Sequence, residues 1–312
     1  MHPASARRRN AMTCLAVWCL AFGGCAVAPL TQRVNQFGGA VSTVVPPVTH
    51  AYETIEETYY DGQVAGLVVN YDKNGFKPEK IQPFLSREDL LIRTRVLDGL
   101  QAYANALRTV TSDKASDALD AATTSVGQSV LGLQEEGVLS KAFAKNVPED
   151  AISLATAALN TLGHFLVERK RSRRLPTIIS EMQEPVERLG DLLIADIGSA
   201  PDTQGHGGKG LRNQLWLAYD KLVLDQDAFI AHSTLDPIQR RQEIANLPAL
   251  VRTQREADLT LQATQEAVRK LVAAHQALAT KDDTGMRDGI AALMAEGKRV
   301  AAYYQGLQAH KE

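Results

Sequence analysis

Residues 251–278 read VRTQREADLTLQATQEAVRKLVAAHQAL, and Val251, Asp258, Leu261, Thr264, Val268, Leu271, His275 and Leu278 recur through them at intervals of three, four and seven. A period near 3.5 describes a long helix whose apolar seam meets neighbouring helices at a shallow angle. Met286, Ile290, Leu293, Val300, Tyr304 and Leu307 carry the same rhythm to the end of the chain. Asp258 and His275 on the seam weaken a dry coiled coil, so the spacing predicts a bundle with wet ends. Composition agrees: aromatic residues make up only 5% of the 312, alanine and leucine abound, and β-branched alternation is scarce. The expected fold is all-α, an elongated antiparallel helical bundle with coiled-coil-like long helices.

Working outward from that seam, Asp236-Pro237 is expected to start a shorter helix carrying Ile238, Ile244 and Leu247, and Leu211, Leu215, Tyr219, Leu222, Phe229 and Ile230 mark the helix before it. Gly198 to Gly210, rich in glycine, reads as a flexible loop or sub-domain boundary. Ile179, Met182, Val186, Leu189, Leu193 and Ile197 share a face, with Pro185 as a kink. Pro148, Glu149 and Asp150 announce a helix whose positions from Ala151 to Val167 carry no charge. It is expected to be a central helix enclosed by its neighbours, with a faint polar stripe at Ser153, Thr156, Asn160 and His164. A looser region, Gln134 to Val147, precedes it.

Ser86-Arg87-Glu88-Asp89 has the layout of a capping box and opens a stripe of Leu90, Leu97, Leu100, Ala104 and Leu107. A second helix, with Leu119, Ala122, Val126, Val130 and Leu133, is expected to pair with it across a turn near Ser112. Nearer the N-terminus, Val34, Phe37, Val41 and Val44 form a weak helical pattern that Pro46-Pro47 stops or kinks. Val48, Tyr52, Ile55 and Tyr59 resume it, and their face continues through Val64, Leu67 and Val68 to Tyr71.

The first residues are of another kind. Arg7-Arg8-Arg9 precede an apolar run from Ala11 that ends in Phe22-Gly23-Gly24-Cys25, the layout of a secretory signal. Because small residues stand before a cysteine, this segment resembles the signal of bacterial lipoproteins. The resemblance covers about the first 28 residues and implies acylation of Cys25 with cleavage just before it; Phe22 stands where that family usually has leucine. Cleavage after Ala26-Val27-Ala28 is the competing reading, though Pro29 would follow the cut, and an uncleaved anchor is another, marginal at this length. The chain has three cysteines, Cys14, Cys19 and Cys25, of which only the last outlives the leader, so no disulfide framework is expected. Ala26-Val27, lacking aspartate after the cysteine, implies an outer-membrane lipoprotein facing the periplasm. The organisation read from the chain is a leader at 1–24, a lipidated tether at 25–33, bundle segments at 34–197 and 211–312, and the glycine-rich loop between them.

Motifs for chemistry fail on inspection. Gly127-Gln128-Ser129-Val130-Leu131-Gly132 has the outline of a nucleophile elbow, but the second glycine comes one residue late and the segment reads as helix. Gly205 to Gly210 lacks the first glycine and the Ser or Thr of a phosphate loop. His50, His164, His206, His232, His275 and His310 never fall at metal-ligand spacing, and His164 and His275 read as core histidines. Carboxylates fall mainly on polar faces. With 36 acidic against 34 basic side chains, and three of the basic ones in the leader, the balance is wrong for gripping nucleic acid. The basic run Arg169, Lys170, Arg171, Arg173 and Arg174 reads as a solvated helix end, with a patch for an acidic partner or lipid headgroups as the alternative. The function expected is a membrane-anchored envelope lipoprotein with a binding, scaffolding or assembly role, with no catalytic residue, metal or cofactor and with an unidentified protein partner. The alternative is a membrane-active protein of pore-forming type that inserts 151–167.

Overall fold

The computed structural model of the protein describes residues 30–71, 75, 77, 79, 81–111, 117–135, 137–168 and 174–309. The described chain is all-α, with ten helices in the order α1 (Leu30–Val69), α2 (Arg87–Val110), α3 (Asp117–Gly132), α4 (Val138–Phe143), α5 (Glu149–Glu168), α6 (Leu175–Glu181), α7 (Gln183–Ile197), α8 (Gly210–His232), α9 (Pro237–Thr280) and α10 (Asp283–Ala309). The turn expected near Ser112 lies outside the described residues.

The seam that opened the sequence reading lies in α9. Asp258, Leu261, Thr264, Val268, Leu271, His275 and Leu278 are all buried. Lys281, in the left-handed conformation at φ 59°, ends α9 and turns the chain into α10. The two helices form a hairpin against which α1 packs. His50 of α1 lies beside Tyr304 of α10, and Gln308 Nε2 donates to Thr54 Oγ1 further along, so α1 and α10 run in the same direction. α8 packs antiparallel to α9 and reaches α1, where the Tyr219 hydroxyl donates to the Thr58 carbonyl. α2 lies on α1, and α3 packs with α5 on a second side formed by α2 and α7.

Two of the three breaks expected at prolines turn out differently. α1 runs unbroken for 40 residues through Pro46 and Pro47. Val41, Val44, Val45, Val48 and Ala51 are buried on either side of the pair, so tertiary packing outweighs the missing backbone donors. α9 likewise absorbs Pro248 and extends for 44 residues, merging the predicted short helix with the seam. The α6–α7 pair does break, at Met182, three residues before Pro185; proline leaves the carbonyl four residues back, that of Glu181, without a donor and crowds it. The predicted capping box is present, with Asp89 N donating to Ser86 Oγ and Ser86 N to the Asp89 carboxylate. Asp236 and Gln239 form a second one at the start of α9. The loose region before α5 holds the short helix α4, whose Leu139 and Phe143 are buried.

α5 is not enclosed. Ile152, Ala155, Ala158, Leu159, Leu162, Gly163 and Leu166 are buried, while Ser153, Leu154, Asn160, Thr161 and His164 face outward. The absence of charge therefore reflects small and neutral outer residues, not burial on all sides. The α3–α5 crossing is close because Gly127 faces Leu166 and Val167, where a Cβ would come within 2.8 Å of Leu166 Cβ. That use of Gly127 in a helix, with Ser129 exposed, accounts for the apparent elbow motif as packing.

Candidate functional site

The largest concentration of buried polar chemistry is built around Arg93 of α2 and Asp196 of α7, whose side chains are 1% and 0% exposed. Arg93 Nε donates to Asp196 Oδ2 at 2.8 Å and Nη2 to Oδ1 at 2.7 Å, a two-pronged pairing that matches guanidinium to carboxylate. Two of the three remaining guanidinium hydrogens go to the Asp89 carbonyl at 3.0 Å and the Ala142 carbonyl at 2.9 Å, and the Phe143 ring lies 4.6 Å from Cζ. Asn146, just ahead of Pro148, does not cap α5. Its amide nitrogen donates to Asp196 Oδ1 and its oxygen accepts from Gln214 Nε2 of α8. Tyr52 of α1 completes the cluster. Burial, reinforced by the Asp196 charge, pushes its hydroxyl far above the usual phenol range. The charged network thus joins α2, α4, α7 and α8, while the Tyr52 hydroxyl of α1 is buried beside it without a hydrogen-bond partner among the described residues; what the network can do chemically is fix the register of the helices it joins.

A second junction surrounds His275 of α9, 0% exposed. The Tyr103 hydroxyl lies 2.8 Å from Nε2, and the Gln183 amide oxygen lies 2.8 Å from Nδ1. With that oxygen able only to accept, Nδ1 carries the proton and Nε2 accepts from Tyr103. Phe37 meets the imidazole edge-on, and Phe165 meets Tyr103 the same way. The predicted core role of His275 holds. His164 differs: it sits exposed on α5, 3.5 Å from Glu168.

Desolvation lowers the His275 pKa to about 4, against an ordinary value of about 6.5. Between those values the unfolded chain takes up a proton that the folded protein refuses. The contribution of His275 to stability is therefore complete above about pH 6.5 and is lost as pH falls towards 4, by up to about 3 kcal/mol. Urea unfolding at pH 7 and pH 4.5 is expected to show this slope in the wild type. His275→Gln, which keeps a hydrogen-bonding side chain but does not titrate, is expected to flatten it.

Asp258, the other ionisable residue on the seam, is paired. Arg212 of α8 grips it with Nε at 2.7 Å and Nη2 at 2.9 Å. Gly198 to Gly210 closes on itself: Ser199 and Lys209 exchange backbone hydrogen bonds at 2.9 Å, and the Asp202 carboxylate accepts from the Gln204 and His206 amides. Gly198 has φ 71°, and a Cβ there would fall 2.1 Å from the Lys209 carbonyl oxygen, so both backbone conformation and space require glycine. The loop leads from an isolated bridge into α8, without the strand a phosphate loop needs.

Apolar side chains stand uncovered at one end, where α1, α8 and the start of α9 extend beyond the last residues of α10. Tyr60, Val64 and Val68 on α1, Tyr71 just past its end, Leu217 and Leu224 on α8, and Ile238 and Ile244 on α9 are exposed, Val68 and Ile238 by more than 70%. Of these, Val64, Val68, Tyr71, Ile238 and Ile244 were expected on the apolar faces of their helices. Clefts of about 350 Å³ between α1 and α8 and about 910 Å³ between α1 and α9 flank this end.

Of the residues singled out for function, Cys25, Arg169, Lys170, Arg171 and Arg173 lie outside the described residues, and Arg174 is exposed in extended backbone just ahead of α6. Among the described residues no group of three or more His, Cys, Asp or Glu side chains is placed to hold a metal ion, and no helix is long and apolar enough to cross a membrane. Comparison of the chain with protein-family models, with curated proteins and with solved structures finds no match.

Proposed function

We propose that the protein is a lipoprotein of the bacterial envelope, held to the outer membrane on its periplasmic side through acylated Cys25, and that its helical body serves in binding or scaffolding. The observation that carries the binding role is the cluster of uncovered apolar residues on α1, α8 and α9. These side chains follow helical spacing suited to burial yet remain exposed to water, and exposed apolar surface gathered at one end of a bundle suits a partner. α1 is about 60 Å long at 1.5 Å per residue, so this end lies far from Leu30 and from the anchor. The Arg93–Asp196 and Arg212–Asp258 pairs support a scaffold as well, since each joins two helices. Arg174 and the basic residues before it are read as a solvated helix end, with a patch for an acidic partner or lipid headgroups as the alternative.

The Gly-Gly-Cys junction motivates the test of the anchor. Cys25→Ser is expected to abolish fatty-acid labelling and to release the protein from membranes or leave an uncleaved precursor. Labelling that persists in this variant would remove the lipoprotein reading. The pore-forming reading draws on one observation, the neutral outer face of α5 with Leu154 exposed.

A further inference from the structure

We infer that the cleft between α1 and α9 receives a basic amphipathic helix of a partner protein, which takes up the line of α10. This deepens the binding role proposed above and rests on it. α10 packs against both α1 and α9, and towards its end Tyr304 lies beside His50 of α1 and Gln308 beside Thr54. Beyond Thr54 the two walls go on without it. The cleft of about 910 Å³ that opens there has Leu307 of α10 at its near end, Asp61 and Ala65 on the α1 wall, and Leu250 and Thr253 on the α9 wall. Tyr219 of α8 closes the floor, with its hydroxyl donating to the Thr58 carbonyl.

Shape selects a helix. His50, Thr54, Asp61, Ala65 and Val68 succeed one another on α1 at intervals of four, seven, four and three, so the line that meets α10 lower down continues along the cleft. Val68 and its neighbour Val64 are exposed on it. From Thr58 to Val69 this wall runs for about 18 Å, or about three helical turns. A groove whose lower part already holds a helix, and whose upper part keeps the same two walls, suits recognition of a helix in a groove.

Charge selects the sign. Glu56, Glu57 and Asp61 line the cleft, and among the described residues no lysine, arginine or histidine does. The Glu56 carboxylate accepts from the Leu85 amide, whereas Glu57 and Asp61, one turn apart, are exposed. Glu243 stands two turns before Leu250 on α9. An acidic partner or anionic headgroups would meet like charge here. Lysines or arginines flanking the apolar stripe of an incoming helix would meet opposite charge. Three turns bury less than the roughly 800 Å² per partner of stable complexes, so the contact is weak and reversible.

Three peptides of about 14 residues, long enough to fill the cleft as helices, are titrated into the full-length protein. One has leucines at intervals of three and four with lysines between them, one has glutamates for the lysines, and one has the composition of the first with its leucines scattered around the helix. The first is expected to bind at least about tenfold more tightly than the others, to gain helicity on binding and to weaken as salt is raised. Glu57→Gln combined with Asp61→Asn is expected to weaken it about tenfold, and Ala65→Trp, which fills the groove, to abolish binding. Circular dichroism of each variant alone is expected to match the wild type. No binding, equal binding of the glutamate or scattered peptide, or indifference to both variants would overturn the inference. So would a dimer in sedimentation that the peptide takes apart, since a second copy would then fill the cleft. Leu224, exposed on α8 and lining neither cleft, reads the binding role separately. Protein photo-cross-linked at Leu224 in intact membranes, with no peptide bound in the cleft, overturns this inference and leaves the binding role standing.

Discussion

Replacing Asp196 by alanine is expected to destabilise the protein by about 3–5 kcal/mol, the cost of leaving a buried guanidinium without its counter-charge. Arg93 would keep only the Asp89 and Ala142 carbonyls, and Asn146 would lose the acceptor that holds it ahead of α5. Thermal or urea unfolding followed by circular dichroism measures the loss. The double replacement Arg93→Met with Asp196→Leu separates two meanings of the pair, because it removes both charges while filling their volume. If the pair acts chiefly by being satisfied, the double variant recovers most of the loss in the single one, and Lys221→Ala, in an exposed pair with Asp225, costs under about 1 kcal/mol. A single variant that melts with the wild type would mean that Arg93 and Asp196 do not meet in the folded protein.

Leu159→Lys is expected to cost several kcal/mol, since Leu159 is fully buried on the packed face of α5 and an ammonium there has no counter-charge. The same substitution separates the two functions considered for this helix. A segment that leaves the bundle to enter a bilayer must first release Ile152, Ala155, Leu159, Leu162 and Leu166 from the core. A scaffold never releases them. Melting of the protein alongside dye release from liposomes reads both properties. A folded Leu159→Lys variant that has lost a dye-releasing activity present in the wild type would replace the scaffold with a pore-forming protein.

Periodicity made most helices legible because burial selects residues at intervals of three and four, and the seam from Asp258 to Leu278 was visible for that reason. The ion pair was missed, although the gap that held it was there to see. Arg93 fills the empty position between Leu90 and Leu97 on the α2 stripe, and Asp196 stands between Leu193 and Ile197 on α7. A charge that interrupts an apolar stripe in each of two helices is the sequence trace of a buried pair, but only the fold says which two meet. The prolines misled in the other direction. Local rules assign them breaks, yet in α1 and α9 the packing on either side of Pro46-Pro47 and Pro248 carries the helix through. The exposed end was illegible because Val64, Val68, Ile238 and Ile244 have the spacing of core residues, and spacing records a face suited to burial without naming what buries it.

α9 is one continuous helix in two very different settings. From Gln254 to Leu278 many of its residues are enclosed by α1, α7, α8 and α10, while from Ile238 to Leu247 it lies largely in solvent with α8 as its companion. Backbone amides exchange with solvent deuterium through local opening, and opening is easiest where few buried contacts resist it. Protection is therefore expected to climb along a single helix, with amides before Pro248 exchanging well ahead of those around Leu261 and Leu271. The first turns of α9 could fray and reform while the rest stays closed, which would leave one end of this long helix able to adapt its shape without cost to the fold.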